Sequence, residues 1–258
     1  MPEDLPFKNK VVLVTGSGRG IGRTIALHFA RNGADVVINF FRNRRSAEET
    51  IHAVEAYGHR ALLVKADMGN LDNIDHLFTE VERTFGGLDI LVNNAASGYN
   101  RPAMQQRPKG WEWTMNINAR SLLFATQRAV PLMEKQGGGA IVSITSPGSS
   151  RVLPDYIVVG ASKAALESLT RYLAVELAAR NFSVNAVSPG IVETDALKHF
   201  KALADGKVSQ NATLSTPAGR LVTPEDIAGV VAFLCTPAAG MIRGQVIIVD
   251  GGYTLLAK

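Results

Sequence analysis

Apolar residues in this chain follow two alternating patterns. Solid runs of four to six residues, rich in Val, Leu and Ile, occur at 11–14, 36–39, 61–66, 88–92, 140–145, 184–187 and 246–249. Such runs read as strands buried on both faces, as parallel strands are. Between them the apolar positions recur at helical spacing. Ile25, Ala26, Phe29 and Ala30 lead to a stop at Gly33, and further helical stretches cover 46–57, 71–85, 110–135, 156–180 and 224–234. Ser46 with Glu49 three residues later reads as a capping box opening the second helix. The stretch 110–135 carries a predicted break near 116–118. Strict alternation with short loops predicts an α/β fold: a Rossmann-like, doubly wound parallel sheet of about seven strands with helices on both faces. Residues 1–258 read as one nucleotide-binding domain. The block 195–220, richer in small and polar residues, reads as a substrate lid.

In such a fold the chemistry belongs at the C-terminal strand ends, near the point where strand order reverses. Thr15, Asp67, Asn93 and Ser146 all fall there. Gly16-Ser17-Gly18-Arg19-Gly20-Ile21-Gly22 follows the first strand and opens the first helix. Strand, glycine turn and helix together are what give a glycine pattern meaning. The backbone can approach a pyrophosphate, and the helix N-terminus supplies N–H donors. A dinucleotide that carries only a ribose diol is met by a carboxylate at the end of the second strand. Here that place reads Asn39-Phe40-Phe41-Arg42. Arg19 and Arg42 suit a 2′-phosphate instead, which selects NADPH.

Tyr156 and Lys163 stand seven apart on one face of the predicted helix at 156–180. An ammonium near a phenol favours the phenolate and improves it as a proton donor or oxyanion partner. Alone, the pair reads more readily as a packed ring and a solvated charge.

Composition narrows the picture. With 46% hydrophobic and 19% charged residues the chain is of the soluble globular class. No run is long enough for a membrane helix, and no export signal is visible at the start. Cys235 is the one cysteine, in apolar surroundings, so no internal disulfide forms and a cytoplasmic location follows. The net charge of +4 mildly favours anionic partners, yet apart from Arg42, Arg44 and Arg45 the basic residues are scattered along the sequence and no nucleic-acid motif is present. The five histidines show no metal-ligand spacing, and no metal is expected. Trp111 and Trp113 read as packing residues near a helix start.

These motifs resemble the short-chain dehydrogenase/reductase family over nearly the whole chain. Thr15-Gly16 through Gly20 and Gly22 is similar to its cofactor loop, Asn93-Asn94-Ala95-Ala96 to its fourth-strand motif, and Gly244 with Val249-Asp250-Gly251-Gly252 to its last strand. The resemblance implies cofactor contacts from Gly16, Ser17, Arg19, Gly20, Ile21, Gly22, Arg42, Asp67, Met68, Asn94, Ala95, Ala96, Lys163, Pro189, Gly190, Ile191 and Thr194. It implies catalytic roles for Tyr156, Lys163, Ser146 and Asn118. Helices 110–135 and 155–180 resemble those that pair between subunits, so a homotetramer or homodimer is implied.

One departure bears on the subfamily. Most members carry Tyr four residues before Lys, where this chain has Val159. Tyr seven before Lys is similar to enoyl-[acyl-carrier-protein] reductases, closest to the NADPH-dependent type III form. That resemblance implies reduction of an enoyl thioester linked to acyl carrier protein or coenzyme A, in fatty acid synthesis. In that reaction negative charge builds on the thioester oxygen, away from the carbon that receives hydride, so a donor one helical turn farther from Lys fits. Ser146, seventeen before Lys163, stands where enoyl reductases of the commoner type carry a further Tyr. It matches the Ser of ketone-reducing relatives, which keeps a ketone or hydroxy oxidoreductase open. A protein that senses the cofactor without turnover is a third reading, against which Tyr156, Lys163 and Asn118 argue.

Overall fold

The computed structural model describes residues 5–192 and 216–256. Seven parallel strands form one sheet among these residues: β1 (Val11–Val14), β2 (Asp35–Phe40), β3 (Ala61–Lys65), β4 (Ile90–Asn93), β5 (Gly139–Ile144), β6 (Phe182–Pro189) and β7 (Val246–Val249). Their spatial order is β3-β2-β1-β4-β5-β6-β7. From β1 the chain winds outward through β2 and β3, then returns to the other side of β1 for β4 to β7. The reversal lies between β1 and β4, whose register pairs Val12 with Ile90 and Val14 with Val92. A crevice opens at the carboxyl ends of those two strands.

Alternation along β1 separates two cores. Val12 and Val14 point to the layer of α1 (Gly20–Arg31), α2 (Arg44–Glu55) and α7 (Pro224–Leu234), where Ile25, Phe29, Val54, Ile227 and Val231 are buried. Leu13 points to the opposite layer of α3 (Leu71–Phe85), α5 (Ser121–Glu134) and α6 (Ile157–Glu176), among Leu77, Phe78, Leu122, Met133 and Leu166. Both faces of β1 are therefore dry, which explains its unbroken apolar run. Each such side chain contributes roughly 1.5–3 kcal/mol on burial.

The helix at 110–135 is two helices. α4 (Pro108–Met115) and α5 are joined by a π-helical turn, Asn116–Arg120, at the predicted break. α2 differs at its start. It begins at Arg44, and the Asn43 side chain accepts from the Ser46 N–H at 3.1 Å, so Asn43 is the cap and the Ser46/Glu49 box does not form. Ser46 instead donates to the Gly18 carbonyl at 2.5 Å, tying α2 to the glycine loop. α6 begins one residue after Tyr156, which occupies its N-cap position. Thr194 and the core of the 195–220 block lie outside the described residues.

Candidate active site

The glycine loop is held from three sides. Thr15 Oγ1 accepts from the Asn94 and Ala95 N–H groups at 3.0 Å each. Asn94 Nδ2 donates to the Thr15 carbonyl at 2.9 Å and the Gly16 carbonyl at 3.2 Å. Asn39 Oδ1 accepts from the Gly16 N–H at 3.0 Å, while its Nδ2 donates to the Ala66 carbonyl at 3.1 Å. Ser17 closes the turn, its Oγ donating to the Val14 carbonyl at 2.7 Å. Gly16 has a φ of +65°, and a Cβ there would meet the Ala95 Cα at 2.9 Å, so only glycine lets the loop cross the β1–β4 crevice. A Cβ on Gly22 would meet Asn94 Nδ2 at 2.4 Å. Gly20 has open space around it, and no side chain caps the N-terminus of α1 at Arg19. Bare N–H groups beside an open glycine cradle fit a pyrophosphate.

The rest of the proposed cofactor surface is continuous with this cradle. Asp67, past the end of β3, accepts from the Gly69 N–H at 2.8 Å. Met68 is buried and its side chain belongs to the core. Ala95 and Ala96 line the end of β4. Pro189 ends β6, the Gly190 N–H donates to the Val249 carbonyl at 2.8 Å, and Ile191 leads into a bridge between Val192 and Val222. Asn39 is neutral and fully engaged with backbone, so nothing at the end of β2 repels a phosphate. Arg44 and Arg45 pair with Glu48 and Glu49, whereas Arg19 and Arg42 have no carboxylate partner among the described residues. The residues present thus fit a phosphorylated dinucleotide.

The reacting end lies past β5. Ser146 Oγ and Tyr156 Oη are 3.4 Å apart, within hydrogen-bond reach. Gly148 gives the tyrosine room: a Cβ there would meet ring carbons Cδ1 and Cε1 at 2.6 Å. Lys163 Nζ, on the buried face of α6, donates to the Ile144 carbonyl at 2.7 Å. Burial lowers its pKa to about 8, against the Glu167 carboxylate, which raises it. Glu167 is itself oriented by Thr145 Oγ1 at 2.7 Å. Asn118, in the π-helical turn, accepts from the Ser97 N–H and donates to the Ser97 carbonyl, both at 2.8 Å, and its Nδ2 also reaches Ser162 Oγ at 2.9 Å. Its side chain clamps the β4–α4 segment to α6.

The tyrosine sits in a desolvated position. Burial raises the Tyr156 phenol above its ordinary value, and the Ser146 hydrogen bond offsets only part of that.

Other residues missed in the sequence also matter. Asn39 and Ser162 brace the site through the bonds above. Arg42, already a cofactor candidate, shares a cleft with Arg101, Arg107 and Lys109, which the sequence reading did not single out. These basic residues are separated along the chain and gathered in space, and Trp113 lines the cleft rather than only packing. Three cations and three aromatics between Tyr99 and Trp113 were the available signal. Cys235 packs against the core, and burial pushes its thiol pKa up, so it is no nucleophile. Among the described residues no group of three or more His, Cys, Asp or Glu could hold a metal ion, and no helix is long and apolar enough to cross a membrane.

Comparison with known proteins places the chain in a family. Residues 16–254 match the family described as enoyl-(acyl carrier protein) reductase. The chain is similar to 1-cyclohexenylcarbonyl-CoA reductase of Streptomyces collinus, 38% identical over 97% of this chain and 89% of that one. It is also similar to hydroxynaphthalene reductase of Aspergillus fumigatus, 34% identical over 93% and 91% of the two chains. Among solved structures, L-sorbose reductase of Gluconobacter frateurii, complexed with NADPH and L-sorbose, superposes with a TM-score of 0.92 at 30% identity, covering 98% of this chain and 100% of that one. A 7α-hydroxysteroid dehydrogenase complexed with NADH and 7-oxo glycochenodeoxycholic acid gives a TM-score of 0.90 at 33% identity, covering 96% of each chain. The fold and the family match define a nicotinamide-dependent oxidoreductase: the chain belongs to the short-chain dehydrogenase/reductase family.

Proposed function

We propose that this oxidoreductase uses NADPH to reduce a carbonyl compound, with Tyr156 and Ser146 meeting the substrate's carbonyl oxygen. The observation that carries this reading is the 3.4 Å approach of Ser146 Oγ to Tyr156 Oη. Two hydroxyls converging at the end of β5 can hold one oxygen between them. Tyr156, with its raised pKa, gives its proton as negative charge develops there, and Ser146 holds the oxygen in line. Lys163 has two N–H donors left after Ile144, suited to ribose hydroxyls. NADPH, when bound, supplies the hydride. Arg19 and Arg42 would hold its 2′-phosphate, and the NADPH in the sorbose reductase complex supports that choice. The ketone-bearing ligands of the solved relatives support the substrate class.

A second reading rests on its own observation. Val159 takes the usual tyrosine place, and Tyr156 stands at the N-cap of α6, about one turn farther out. That displacement suits a conjugated enoyl thioester. The name of the Streptomyces collinus relative describes such a substrate, a ring double bond next to a coenzyme A thioester. Tyr156 does the same work in both readings; only the carbon receiving hydride differs. A role in fatty acid synthesis is narrower than these relatives' names support. The proposal includes a cytoplasmic homotetramer or homodimer, one domain over 1–258, and a lid at 195–220.

NADPH consumption with acetoacetyl and crotonyl thioesters separates the readings. Ketone turnover is expected. Turnover of the crotonyl thioester alone would transfer the assignment to the enoyl reading, and turnover of neither would direct the search to ketones without a thioester.

A further inference from the structure

The cleft beside the cofactor surface has more positive charge than one cofactor phosphate needs. It is open, about 470 Å³ in volume, and lined by Arg42, Tyr99, Arg101, Arg107, Lys109, Gly110 and Trp113. That volume lies within the roughly 300–1,000 Å³ of small-molecule sites. Four of the seven lining residues are cationic and none is acidic. None of the four cations is ion-paired among the described residues. Two are held by ring faces instead: the Arg42 guanidinium lies 5.8 Å from the Trp113 ring centroid, and that of Arg101 lies 5.1 Å from the Tyr99 centroid. Cation–π contact positions a guanidinium without neutralising it. Four uncompensated charges on one cleft repel one another until an anion enters.

The cleft is joined to the catalytic end by a short piece of backbone. The Arg101 N–H donates to the carbonyl of Asp155, next to Tyr156, at 2.8 Å. Gln106 Nε2 donates to the Arg101 carbonyl at 2.6 Å, and Tyr99 Oη donates to Gln106 Oε1 at 3.0 Å, so the segment from Tyr99 to Gln106 is internally braced. This wall touches the residue beside Tyr156 at Arg101, and the cations run on from there through Arg107 and Lys109. An extended molecule along it would place a carbonyl at Tyr156 and phosphates among Arg101, Arg107 and Lys109.

We propose that this cleft holds the phosphorylated adenosine end of a coenzyme A thioester, which makes the substrate an acyl-coenzyme A. The inference deepens the proposed carbonyl reduction and rests on its thioester form. Guanidinium groups suit phosphate bidentately, and the indole and phenol rings give faces for a purine. NADPH also carries a phosphorylated adenosine, so the two sources must be told apart. Arg42, at the end of β2, is the cofactor's candidate; Arg101, Arg107 and Lys109 lie on the β4–α4 side and mark the second ligand.

The test uses the full-length enzyme saturated with NADP⁺, titrated calorimetrically with adenosine 3′,5′-bisphosphate. Binding is expected with the cofactor in place, and the triple variant Arg101→Ala/Arg107→Ala/Lys109→Ala should weaken it by about tenfold or more, as loss of charge-assisted phosphate contacts implies. In turnover assays the same variant should raise KM for an acyl-coenzyme A by about tenfold, leaving KM for NADPH and for the matching N-acetylcysteamine thioester within about twofold. No bisphosphate binding beside NADP⁺ would overturn the proposal. So would equal loss with both thioesters, a rise in the NADPH KM alone, or an effect confined to a carrier-protein thioester, which would make the cleft a protein-docking surface. Turnover of no thioester would overturn the substrate class; the binding measurement, which needs no turnover, would still report on the cleft itself.

Discussion

The Lys163 ammonium donates to the Ile144 carbonyl at 2.7 Å, which fastens the middle of α6 to the last residue of β5. Ser146 leaves that strand two residues later and Tyr156 opens that helix, so one buried charge sets the distance between the two hydroxyls of the site. The charge is costly to bury. Burial holds its pKa at about 8 rather than 10.5. Between those values the unfolded lysine keeps a proton that the folded one has lost, so the unfolded state binds more protons and stability rises with pH across that window. Lys163→Met should abolish this rise and should leave the ligand-free protein more stable than the parent near neutral pH, by up to about 3 kcal/mol. Cofactor affinity should fall in the same variant. Urea denaturation at a series of pH values checks it; an unchanged pH slope would show that Lys163 titrates normally.

Tyr156→Phe removes the hydroxyl and keeps the ring. Turnover should drop by ~10²–10³, as for loss of one oxyanion donor, while NADPH binding is retained. Ser146→Ala should cost less, because it removes the positioning contact and leaves the donor. Steady-state kinetics with cofactor binding measured by fluorescence tests both. A Phe variant with near-normal turnover would show that another group meets the oxygen.

Gly148→Ala places a methyl group against the Tyr156 ring, where a Cβ would lie 2.6 Å from two ring carbons. The ring must move. We expect a fall in kcat of at least about tenfold with a stability loss of roughly 1–3 kcal/mol, typical of overpacking. In a double-mutant cycle the alanine should cost almost no further activity on the Tyr156→Phe background. Additive losses would mean that Gly148 acts elsewhere.

Arg19→Ala with Arg42→Ala should weaken NADPH and spare NADH. Each lost phosphate contact is worth about tenfold or more in affinity. The ratio of kcat/KM for the two cofactors is the measurement, and an unchanged ratio would move the phosphate to other side chains.

Much of this architecture was legible because parallel strands announce themselves. The runs at 11–14 and 246–249 coincide with β1 and β7, and α3 and α7 begin and end where their periodicity does. The glycine loop was equally clear, since few other contexts ask for Gly16, Gly20 and Gly22 between a strand and a helix. Long-range partners were not legible. Nothing near Asn39 in the chain indicates that it bonds Gly16 and Ala66, because those contacts exist only once β2 pairs with β1 and β3. The Ser46 cap failed through local competition: Asn43, three residues earlier, offered an equally good acceptor and freed Ser46 to reach Gly18. The basic cleft was only half legible: the cations and aromatics between Tyr99 and Trp113 stand together in the chain, but Arg42 meets Arg101 only through the order of β2, β1 and β4.

The multiple bonds of Asn39 have a consequence for engineering. Changing a cofactor preference by design often begins by placing a carboxylate at the end of the second strand. Here Asn39→Asp would remove the amide donor on which the Val64 and Ala66 carbonyls depend and set a charge in a position 1% exposed. The same side chain braces the glycine loop, so the substitution would loosen the cradle as it changed its taste. On the proposed NADPH preference, a switch toward NADH in this scaffold has to begin at the solvent-facing arginines, and a random library would find the Asn39 route blocked by misfolding before selectivity could be scored.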